Sequence, residues 1–356
     1  MNSRVRFGLI GCGAAGKIHA RAILASDHTQ LSWVCDTDAR AARALGERWG
    51  IPWTVEPDRL FESAGIEAVS IATPHHTHFG IAVQAAQAGK HILLEKPFTL
   101  RTSEAVQLVR LCAEAGVAVM PWLERRYLPF VERAREIVAG GVLGKIVYTR
   151  TCTLGYKPRA YWEYGMRLEE YPSAWRGALA LSGGGILLMN AVHQIDLMSY
   201  ISGLTVTEVI GRTASLYHEV EVEDLALVLL RYATGALGVA EASCSTYGQG
   251  QFPIENPADA IMGVDGSLQL GIPLKWYDRI RFAQSCDYPK MSVTDMKIRL
   301  LDDFVRHLRE GTPMRCRPED AIAALGLIEA AYQSAASGKP VQLPAPSISG
   351  ESGQTR

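Results

Sequence analysis

The sequence predicts an α/β domain with a doubly wound parallel sheet, followed by an α+β domain built on a large, mostly antiparallel open sheet. Three observations predict this fold class. Between residues 5 and 120, short β-branched segments alternate with Ala-rich helical patterns, which is typical of βαβ units. A Gly-x-Gly-x-x-Gly turn at 11–16 directly follows the first predicted strand. After Pro121 the pattern changes to segments typical of antiparallel strands.

In the first part, apolar runs bounded by turn residues predict strands, and Ala-rich periodic stretches predict helices. The predicted strands span 5–10, 31–35, 68–72, 91–94 and 117–120. The predicted helices span 16–26, 38–49, 78–88 and 102–115. Glycines at 89 and 116 mark the ends of the last two helices, because this residue is favoured just beyond a helix C-terminus.

In the second part, helices are predicted at 130–139, from Gly185 onward, at 296–310 and at 318–337. Strands are predicted at 146–153, 206–216, 224–232, 236–245, 260–264 and 268–270, and an Asp-Gly pair joins the last two. We therefore divide the chain into a first domain at 1–121, a second domain at 122–343 and a Pro/Ser/Gly-rich flexible tail at 344–356.

The chain has 356 residues and a formal net charge of -1, so no broad positive field is expected for nucleic acid or an anionic membrane. A small-molecule ligand suits this charge balance better. The seven cysteines are scattered without a C-x-x-C pair, which favours reduced thiols in a cytoplasmic protein. We see no export signal and no apolar stretch near the roughly 20 residues that a membrane helix needs.

The glycine turn predicts a dinucleotide site in a Rossmann domain. Gly11 permits the tight turn, Gly13 lets the backbone approach a pyrophosphate, and Gly16 allows close packing of helix and strand. Ala14 and Ala15 complete the turn. Asp36 follows the next strand, where a carboxylate can bind the adenosine ribose, so we expect NAD, with NADP possible because Arg40 is near. The alternative is a plain turn with Asp36 as a helix cap.

Two further motifs follow predicted parallel strands, Thr73-Pro74-His75-His76-Thr77-His78 and Glu95-Lys96-Pro97. With the glycine turn, this combination resembles the glucose-fructose oxidoreductase, inositol dehydrogenase and rhizopine-catabolism (Gfo/Idh/MocA) family over nearly the whole chain. The other matching segments are Arg125-Arg126-Tyr127, Trp175-Arg176-Gly177, Gly183-Gly184-Gly185 with His193 and Asp196, and Ser337-Gly338-Lys339-Pro340.

The resemblance implies that Lys96 lies between nicotinamide and substrate and bonds the reacting hydroxyl. An ammonium there would stabilise the oxygen as negative charge develops on it. Thr73, Pro74 and His76 would lie on the cofactor side, and Glu95 would orient Lys96 or the cofactor. The three histidines at 75, 76 and 78 lack a nearby carboxylate or cysteine partner, so we predict no metal site.

Helical spacing places Met189, His193, Asp196 and Tyr200 on one stripe, which we expect to face the cleft, with Asn190 to one side. By resemblance His193 is the general base. Dehydrogenases of this family commonly carry aspartate where this chain has Met189. A thioether cannot hold an imidazole tautomer, so the usual Asp–His relay is missing unless another polar group replaces it.

Between residues 155 and 177, aromatic side chains alternate with arginine and lysine, a combination that suits a polyol or sugar. The same residue types also anchor subunit contacts, and this alternative carries equal weight. The substrate contacts that we predict are Lys96, Arg126, Tyr156, Trp175, Arg176, Asn190 and His193.

These observations predict an NAD(P)-dependent oxidoreductase that moves hydride between nicotinamide and a secondary alcohol or ketone of a sugar, cyclitol or derivative. Two alternatives stay open: a dinucleotide-binding sensor without turnover, which Met189 would explain, and elimination or glycoside cleavage with retained NAD. By resemblance, the broad sheet of the second domain pairs face to face in a homodimer or homotetramer.

Overall fold

The computed structural model describes residues 4–164, 174–245 and 258–344. Within these residues it contains a parallel six-stranded sheet and a mostly antiparallel nine-stranded sheet, both packed against helices. The predicted fold class is therefore confirmed. The change from one sheet to the other after Pro121 supports the proposed division of the chain at that point.

The first sheet is doubly wound, with strand order β3-β2-β1-β4-β5-β6 and parallel pairing throughout. The reversal of strand order beside β1 creates the crevice in which such sheets bind ligands. The strands are β1 Val5–Ile10, β2 Thr29–Cys35, β3 Trp53–Thr54, β4 Ala68–Ile71, β5 His91–Leu94 and β6 Val119–Pro121. The helices are α1 Ala14–Ala25, α2 Ala39–Trp49, α3 Asp58–Glu62, α4 His78–Gln87 and α5 Thr102–Glu114.

The second sheet has the order β14-β13-β12-β11-β7-β10-β9-β8-β15, and only its β7–β10 pair is parallel among the described residues. Its strands are β7 Ile146–Leu154, β8 Val206–Ala214, β9 Leu225–Tyr232, β10 Leu237–Ser243, β11 Ala260–Gly263, β12 Gly266–Gln269, β13 Leu274–Asp278, β14 Phe282–Cys286 and β15 Val341–Gln342. The helices of this part are α6 Pro129–Ala139, α7 Arg159–Tyr164, α8 Leu179–Ser182, α9 Val192–Ser202, α10 Val293–Glu310 and α11 Pro318–Ser337.

Most predicted elements match these bounds to within a few residues, but the short strands β3, β13, β14 and β15 and the short helices α3, α7 and α8 were not predicted. The strands β14 and β15 lie at the edges of the second sheet, where only one neighbour strand binds them. Such strands are short and polar, so they carry a weak apolar pattern. The segment before α9 also differs from expectation, since residues Leu187–Ala191 form a π-helical turn.

The strand β9 shows why one face of the second sheet is buried. Its residues alternate between buried and exposed, with Val228 inside and Leu227 and Leu229 outside. Helices α9 and α11 cover the inner face, and the hydrophobic core continues from this layer into the first sheet. The two parts therefore share one continuous core, and the carboxyl ends of the parallel strands lie beside the second sheet's helices.

The described residues include no helix that is both long enough and apolar enough to cross a membrane. All seven cysteines carry free thiols, and only Cys286 is not fully buried. Burial raises the pKa of the Cys112 thiol to about 11. These free thiols agree with the prediction that the cysteines are reduced.

Candidate active site

The glycine turn between β1 and α1 forms a cradle of bare backbone. Gly11 has φ +99°, and a Cβ there would lie 2.5 Å from the carbonyl oxygen of Ala72. A Cβ at Gly16 would lie 1.8 Å from the oxygen of Gly11, so the helix can approach the strand only without side chains. Gly13 begins α1 without a side-chain cap, which leaves the first N–H groups of the helix for an anion.

Asp36 at the end of β2 borders this turn. Its Oδ2 accepts a hydrogen bond from the Cys12 backbone N–H at 2.7 Å, and its Oδ1 accepts one from Asp38 N–H at 2.9 Å. The carboxylate is thus held against the turn by two backbone donors and stays partly exposed. The residues present fit a dinucleotide: an anion-binding helix end lies at Gly13, and a fixed carboxylate lies where an adenosine ribose would bind.

Lys96 lies directly after β5 and connects the two parts of the protein. Its Nζ donates to the backbone oxygen of Met189 at 2.5 Å, which ties the first domain to the turn before α9. Burial lowers the pKa of Lys96, while the charges of Glu95 and Glu124 raise it in part. The ammonium therefore lies in a protected site that it shares with the start of the helix carrying His193.

Glu95 fixes the backbone at Lys96 through a buried ionic network. Its Oε2 accepts the Lys96 backbone N–H at 3.0 Å, and its Oε1 lies 2.8 Å from His19 Nε2 and 3.0 Å from Lys297 Nζ. Burial alone would raise the pKa of Glu95, but the ammonium of Lys297 and the contact with His19 hold it well below its usual range. Lys297 also lies 4.3 Å from the ring centre of Trp122.

The turn that carries Met189 is held by Glu223. One carboxylate oxygen of Glu223 accepts the N–H of Gly185 at 2.8 Å, and the other accepts the N–H of Leu187 at 2.9 Å. The hydroxyl of Tyr332 donates to the same carboxylate at 2.9 Å. Because a Cβ at Gly185 would lie 1.9 Å from the backbone oxygen of Glu223, only glycine allows this approach.

His193 stands one turn after Met189, whose backbone oxygen accepts a hydrogen bond from the Lys96 ammonium. Burial, together with the charges of Arg125 and Lys96, lowers the pKa of His193 well below its usual value, so the imidazole is neutral. Across the described part of the chain, His193 Nδ1 and Asn190 Oδ1 are buried atoms without a hydrogen-bond partner. Such atoms are costly to leave unpaired, by about 1–3 kcal/mol, and a ligand hydroxyl would satisfy them.

Aromatic and cationic side chains continue the site from Met189. The Tyr161 hydroxyl donates to the Met189 sulfur at 3.7 Å, and the Tyr161 ring lies 4.7 Å from Lys157 Nζ and 5.5 Å from the Arg176 guanidinium. Arg176 also stacks on Trp175 at 4.6 Å. The predicted residues Lys96, Trp175, Arg176, Asn190 and His193 therefore belong to one region, together with Lys157 and Tyr161.

Arg126 does not belong to this region, contrary to the prediction. It is 2% exposed and forms ion pairs with Asp196 and Asp320, the latter at 2.8 Å. Its guanidinium also lies 4.2 Å from the ring centre of Tyr200 and lines a separate cavity of about 820 Å³. With its donors occupied in this way, Arg126 has a structural role.

The predicted stripe on α9 consequently divides into two ends with different surroundings. Met189 and His193 lie near Lys96, whereas Asp196 and Tyr200 contact Arg126. The helix rises by about 1.5 Å per residue, so its last residues are carried roughly 16 Å from Met189. The expectation that the whole stripe faces the cleft is wrong for this reason.

Two other predicted residues have different surroundings. The Tyr156 hydroxyl is 3.4 Å from that of Tyr217, an exposed residue. His76 is exposed, while its neighbour His75 is buried, 2.9 Å from Ser182 O and 4.4 Å from the Trp175 ring centre.

Thr73 and Pro74 lie at the end of β4, beside the glycine turn. The hydroxyl of Thr77 donates to Thr73 Oγ1 at 2.7 Å, and a nitrogen of His78 lies 2.9 Å from Thr73 O. These contacts fix the turn next to the backbone of Gly11, which touches Ala72 and Thr73. Arg167 and Tyr171, also part of the predicted aromatic segment, lie outside the described residues.

Several residues of the site were not singled out from the sequence. Arg125 lies near His193 and donates to Gln194 Oε1 at 2.7 Å, in the place expected for Arg126. His19 falls in α1 soon after the glycine turn, so its position could have drawn attention. No sequence signal marks Lys297, because it reaches Glu95 across 202 residues of chain. No group of three or more His, Cys, Asp or Glu side chains in the described ranges is placed to hold a metal ion.

Comparison with known proteins agrees with this geometry. Residues 5–122 match the model of an oxidoreductase family with an NAD-binding Rossmann fold, and residues 131–269 match the GFO/IDH/MocA C-terminal domain. The chain is 28% identical to scyllo-inositol 2-dehydrogenase (NAD(+)) of Bacillus subtilis over 96% of this chain and 97% of that protein.

Two solved structures are also similar over nearly their whole length. One is GenD2 from gentamicin A biosynthesis in complex with NAD, with 28% identity, TM-score 0.80 and coverage of 97% of this chain and 98% of that one. The other is the WlbA dehydrogenase from Bordetella pertussis in complex with NADH and UDP-GlcNAcA, with 25% identity, TM-score 0.81 and coverage of 96% and 99%. The chain belongs to the Gfo/Idh/MocA family of oxidoreductases, whose Rossmann domain binds NAD.

Proposed function

We propose that this protein is an NAD-dependent dehydrogenase that acts on a secondary alcohol or ketone of a sugar, a cyclitol or a derivative. One observation carries the proposal: the Lys96 ammonium and the neutral His193 meet at the turn containing Met189, although they come from different halves of the chain. The relatives named for inositol oxidation support this substrate class.

Each residue has a defined part in the proposed reaction. Gly11, Gly13, Ala14, Ala15, Gly16 and Asp36 would hold the dinucleotide, with Thr73, Pro74, His76 and Glu95 on the nicotinamide side. When bound, NAD supplies a nicotinamide ring that accepts or returns the hydride. Lys96 would bond the reacting oxygen and stabilise its developing charge. His193, neutral at pH 7, would take the hydroxyl proton.

Met189 does not remove this role from His193, but it changes how the base is prepared. The Met189 sulfur contacts Tyr161 rather than the imidazole, so no carboxylate at that position orients the ring. The low pKa of His193 keeps it deprotonated, and the nearby Lys96 ammonium stabilises the alkoxide that forms. The proton can therefore be removed without an Asp–His relay.

The test is NAD reduction with a panel of sugars and cyclitols, comparing the native protein with Lys96→Met. We expect the variant to lose turnover by more than about a hundredfold, as removal of a transition-state charge partner does, while its NAD affinity changes only a few-fold. Lys290→Met, which removes an exposed lysine, is the matched control. Normal rates in Lys96→Met would remove the mechanism.

The same assay separates the two alternatives. NAD binding without turnover across a broad panel would favour a sensor. Product formation without net NAD reduction, and a dinucleotide released only on denaturation, would favour elimination or glycoside cleavage through retained NAD.

We also propose a homodimer or homotetramer formed through the outer face of the second sheet. Strand register places exposed apolar side chains together on that face. The exposed members are Leu227, Leu229, Leu237, Met262 and Tyr277. Leu229→Arg should shift the molar mass measured by light scattering toward that of one chain. A cytoplasmic location stays a prediction, based on the free thiols.

A further inference from the structure

Two buried carboxylates stand next to each other in the chain, directly before β9. Glu223 is 8% exposed and Asp224 is fully buried. Most of their hydrogen-bond partners are backbone groups, since five N–H groups donate to the two side chains. Burying a carboxylate is costly unless hydrogen bonds compensate it. Because backbone donors supply this compensation, the two side chains fix the course of the segments that carry the donors.

Glu223 fixes three consecutive N–H groups at the start of the turn that carries Met189. Its carboxylate oxygens accept those of Gly185 and Leu187, and its backbone oxygen accepts that of the residue between them at 3.1 Å. The Met189 N–H in turn donates to the Gly185 oxygen at 2.8 Å. The Met189 backbone oxygen, which binds the Lys96 ammonium, is therefore placed by this set of bonds.

Asp224 fixes the backbone of Lys157 by two routes. Its carboxylate accepts the N–H groups of residues 216–218 and lies 3.3 Å from His218 Nδ1. Nε2 of the same ring lies 2.8 Å from the Lys157 oxygen and must donate to it, because a carbonyl oxygen only accepts. Along the second route, the Asp224 backbone oxygen accepts the Cys244 N–H at 2.9 Å, and the Cys244 oxygen accepts the Lys157 N–H at 2.8 Å.

The segments that the two carboxylates fix meet at Met189. Its backbone oxygen binds Lys96, and its sulfur accepts the hydroxyl of Tyr161 at 3.7 Å. The Tyr161 ring lies 4.7 Å from Lys157 Nζ. One carboxylate therefore fixes the turn that binds the catalytic lysine, and the other fixes the start of the aromatic and cationic segment that we predict to contact the substrate.

We propose that these two carboxylates are positioning residues with separate parts in catalysis. Glu223 places the Lys96 ammonium through the backbone oxygen of Met189, and Asp224 places the substrate-side segment through Lys157. This inference rests on the proposed dehydrogenase function. A misplacement of about 1 Å at a reacting group can reduce turnover by about a hundredfold. Loss of the first carboxylate should therefore reduce kcat, whereas loss of the second should raise the KM for the substrate.

The first experiment compares the steady-state kinetics of Glu223→Gln and Asp224→Asn, which keep the size of each side chain and remove its charge. With the best sugar or cyclitol of the panel, we expect Glu223→Gln to lower kcat about 10- to 100-fold with little change in KM. Asp224→Asn should raise KM about tenfold with little change in kcat. Glu219→Gln, which removes an exposed carboxylate from the same loop, is the matched control. Similar changes of kcat and KM in both variants would indicate a general loss of structure and would overturn the proposal.

The second experiment separates the placement of Lys96 from the loss of a negative charge. The Met189 oxygen favours the charged form of Lys96, so moving it away lowers the pKa of the ammonium and shifts the alkaline limb of kcat/KM to lower pH. Gly185→Ala keeps the Glu223 charge but displaces the same turn, because its Cβ would lie 1.9 Å from the Glu223 backbone oxygen. Both Glu223→Gln and Gly185→Ala should shift the limb in this direction. A shift in Glu223→Gln alone would be a charge effect and would contradict placement through the turn.

The other titratable side chains that interact with Lys96 are the same in both variants. They are Glu95, Glu124, Arg125, Lys297, Lys157, His75 and His193. A shift that the two variants share therefore reports the displaced backbone oxygen.

The part of Asp224 is tested a second time through His218, which decides the question even if Asp224→Asn does not fold. His218→Leu removes the donor to the Lys157 oxygen and should raise KM. His218→Gln keeps an N–H donor on a side chain of similar length, so it should restore part of the substrate affinity. Equal KM values in His218→Leu and His218→Gln would contradict placement through this hydrogen bond.

The inference and the proposed function fail in different ways. If the native protein turns over a substrate and Glu223→Gln has the native kcat, the positioning role is overturned and the dehydrogenase stands. If no compound reduces NAD, the proposed function fails. The pH dependence of Lys96 acetylation by acetic anhydride, measured by mass spectrometry, then decides the inference. A lower pKa of Lys96 in Glu223→Gln and Gly185→Ala, but not in Asp224→Asn, supports it, and the same pKa in all three variants overturns it.

Discussion

Lys297→Met tests whether the buried network behind Lys96 positions the catalytic lysine. Lys297 is 3% exposed, and its ammonium is shared between Glu95 and Glu124. Removing one partner from a buried ion pair costs about 3–5 kcal/mol, because the remaining charge is left without compensation. With an unfolding entropy of about 2 cal/mol/K per residue, this cost corresponds to a fall in Tm of roughly 4–7 °C if the chain unfolds as one unit.

The assay is thermal unfolding together with NAD titration, with Lys290→Met as the exposed control. We expect the loss of stability in Lys297→Met to be partly reversed by Glu95→Gln in the same chain, because the double variant no longer buries an unpaired carboxylate at position 95. Since Glu95 Oε2 accepts the Lys96 N–H, kcat should fall more than NAD affinity. A Tm within 1 °C of the native value, which is roughly the noise of the method against the expected shift, would refute the reasoning.

The ionisation of Glu95 determines how the difference in stability between the native protein and Lys297→Met changes with pH. In the native protein its pKa lies well below the usual range, so lowering the pH toward 5 leaves it ionised. In Lys297→Met, burial should raise this pKa above that of the unfolded chain, so the folded variant binds the proton more tightly than the unfolded one. The stability gap between the two proteins should therefore narrow as pH falls from about 7 to about 5. A difference in the free energy of unfolding that does not change with pH would contradict the assignment of the stability loss to Glu95.

Two further predictions concern the cofactor and the base. Asp36→Ala should weaken NAD binding by about tenfold and NADP binding less, as measured by fluorescence titration. The reason is that the lost carboxylate would bind the ribose of NAD but repel the 2′-phosphate of NADP. Equal losses of affinity would show that Asp36 does not contact the ribose. Because His193 has a pKa well below 6.5, kcat/KM should not decline as pH falls through 6.5. An acidic limb centred at about 6.5 in the pH–rate profile, absent from His193→Asn, would contradict a neutral His193 in this range.

The backbone and the side chain of Met189 have separate contacts. Its backbone oxygen binds Lys96, a contact that any residue could provide, while its side chain packs under Tyr161. The thioether cannot carry a proton, and the turn itself is held by Glu223. A proton leaving His193 must then pass to solvent or to substrate.

The glycine cradle, the Lys96 turn and the His193 helix could be predicted from the sequence because each is local. Gly11 and Gly16 are required by backbone contacts within one βα unit, and Lys96 follows a buried strand whose end faces the crevice. Apolar alternation likewise predicted the main strands of both sheets. Local patterns of this kind specify where a segment lies, because burial of its apolar face leaves few alternatives.

Only the tertiary structure decided which side chain of a segment enters the site. Sequence reasoning chose Arg126, which pairs with Asp196 and Asp320. Arg125 and Lys157, which were not chosen as site residues, interact with Lys96 through their charges. Arg125 and Arg126 lie in a single 3-10 helical turn, and Lys157 lies just beyond a strand. Such short segments contain too few residues for an apolar period to indicate the direction of successive side chains. Lys297 could not be found at all, since its contact with Glu95 depends on how α10 packs against the first domain. Local periodicity determines where helices and strands form. Packing between elements that are distant in sequence determines which charged side chains contact each other.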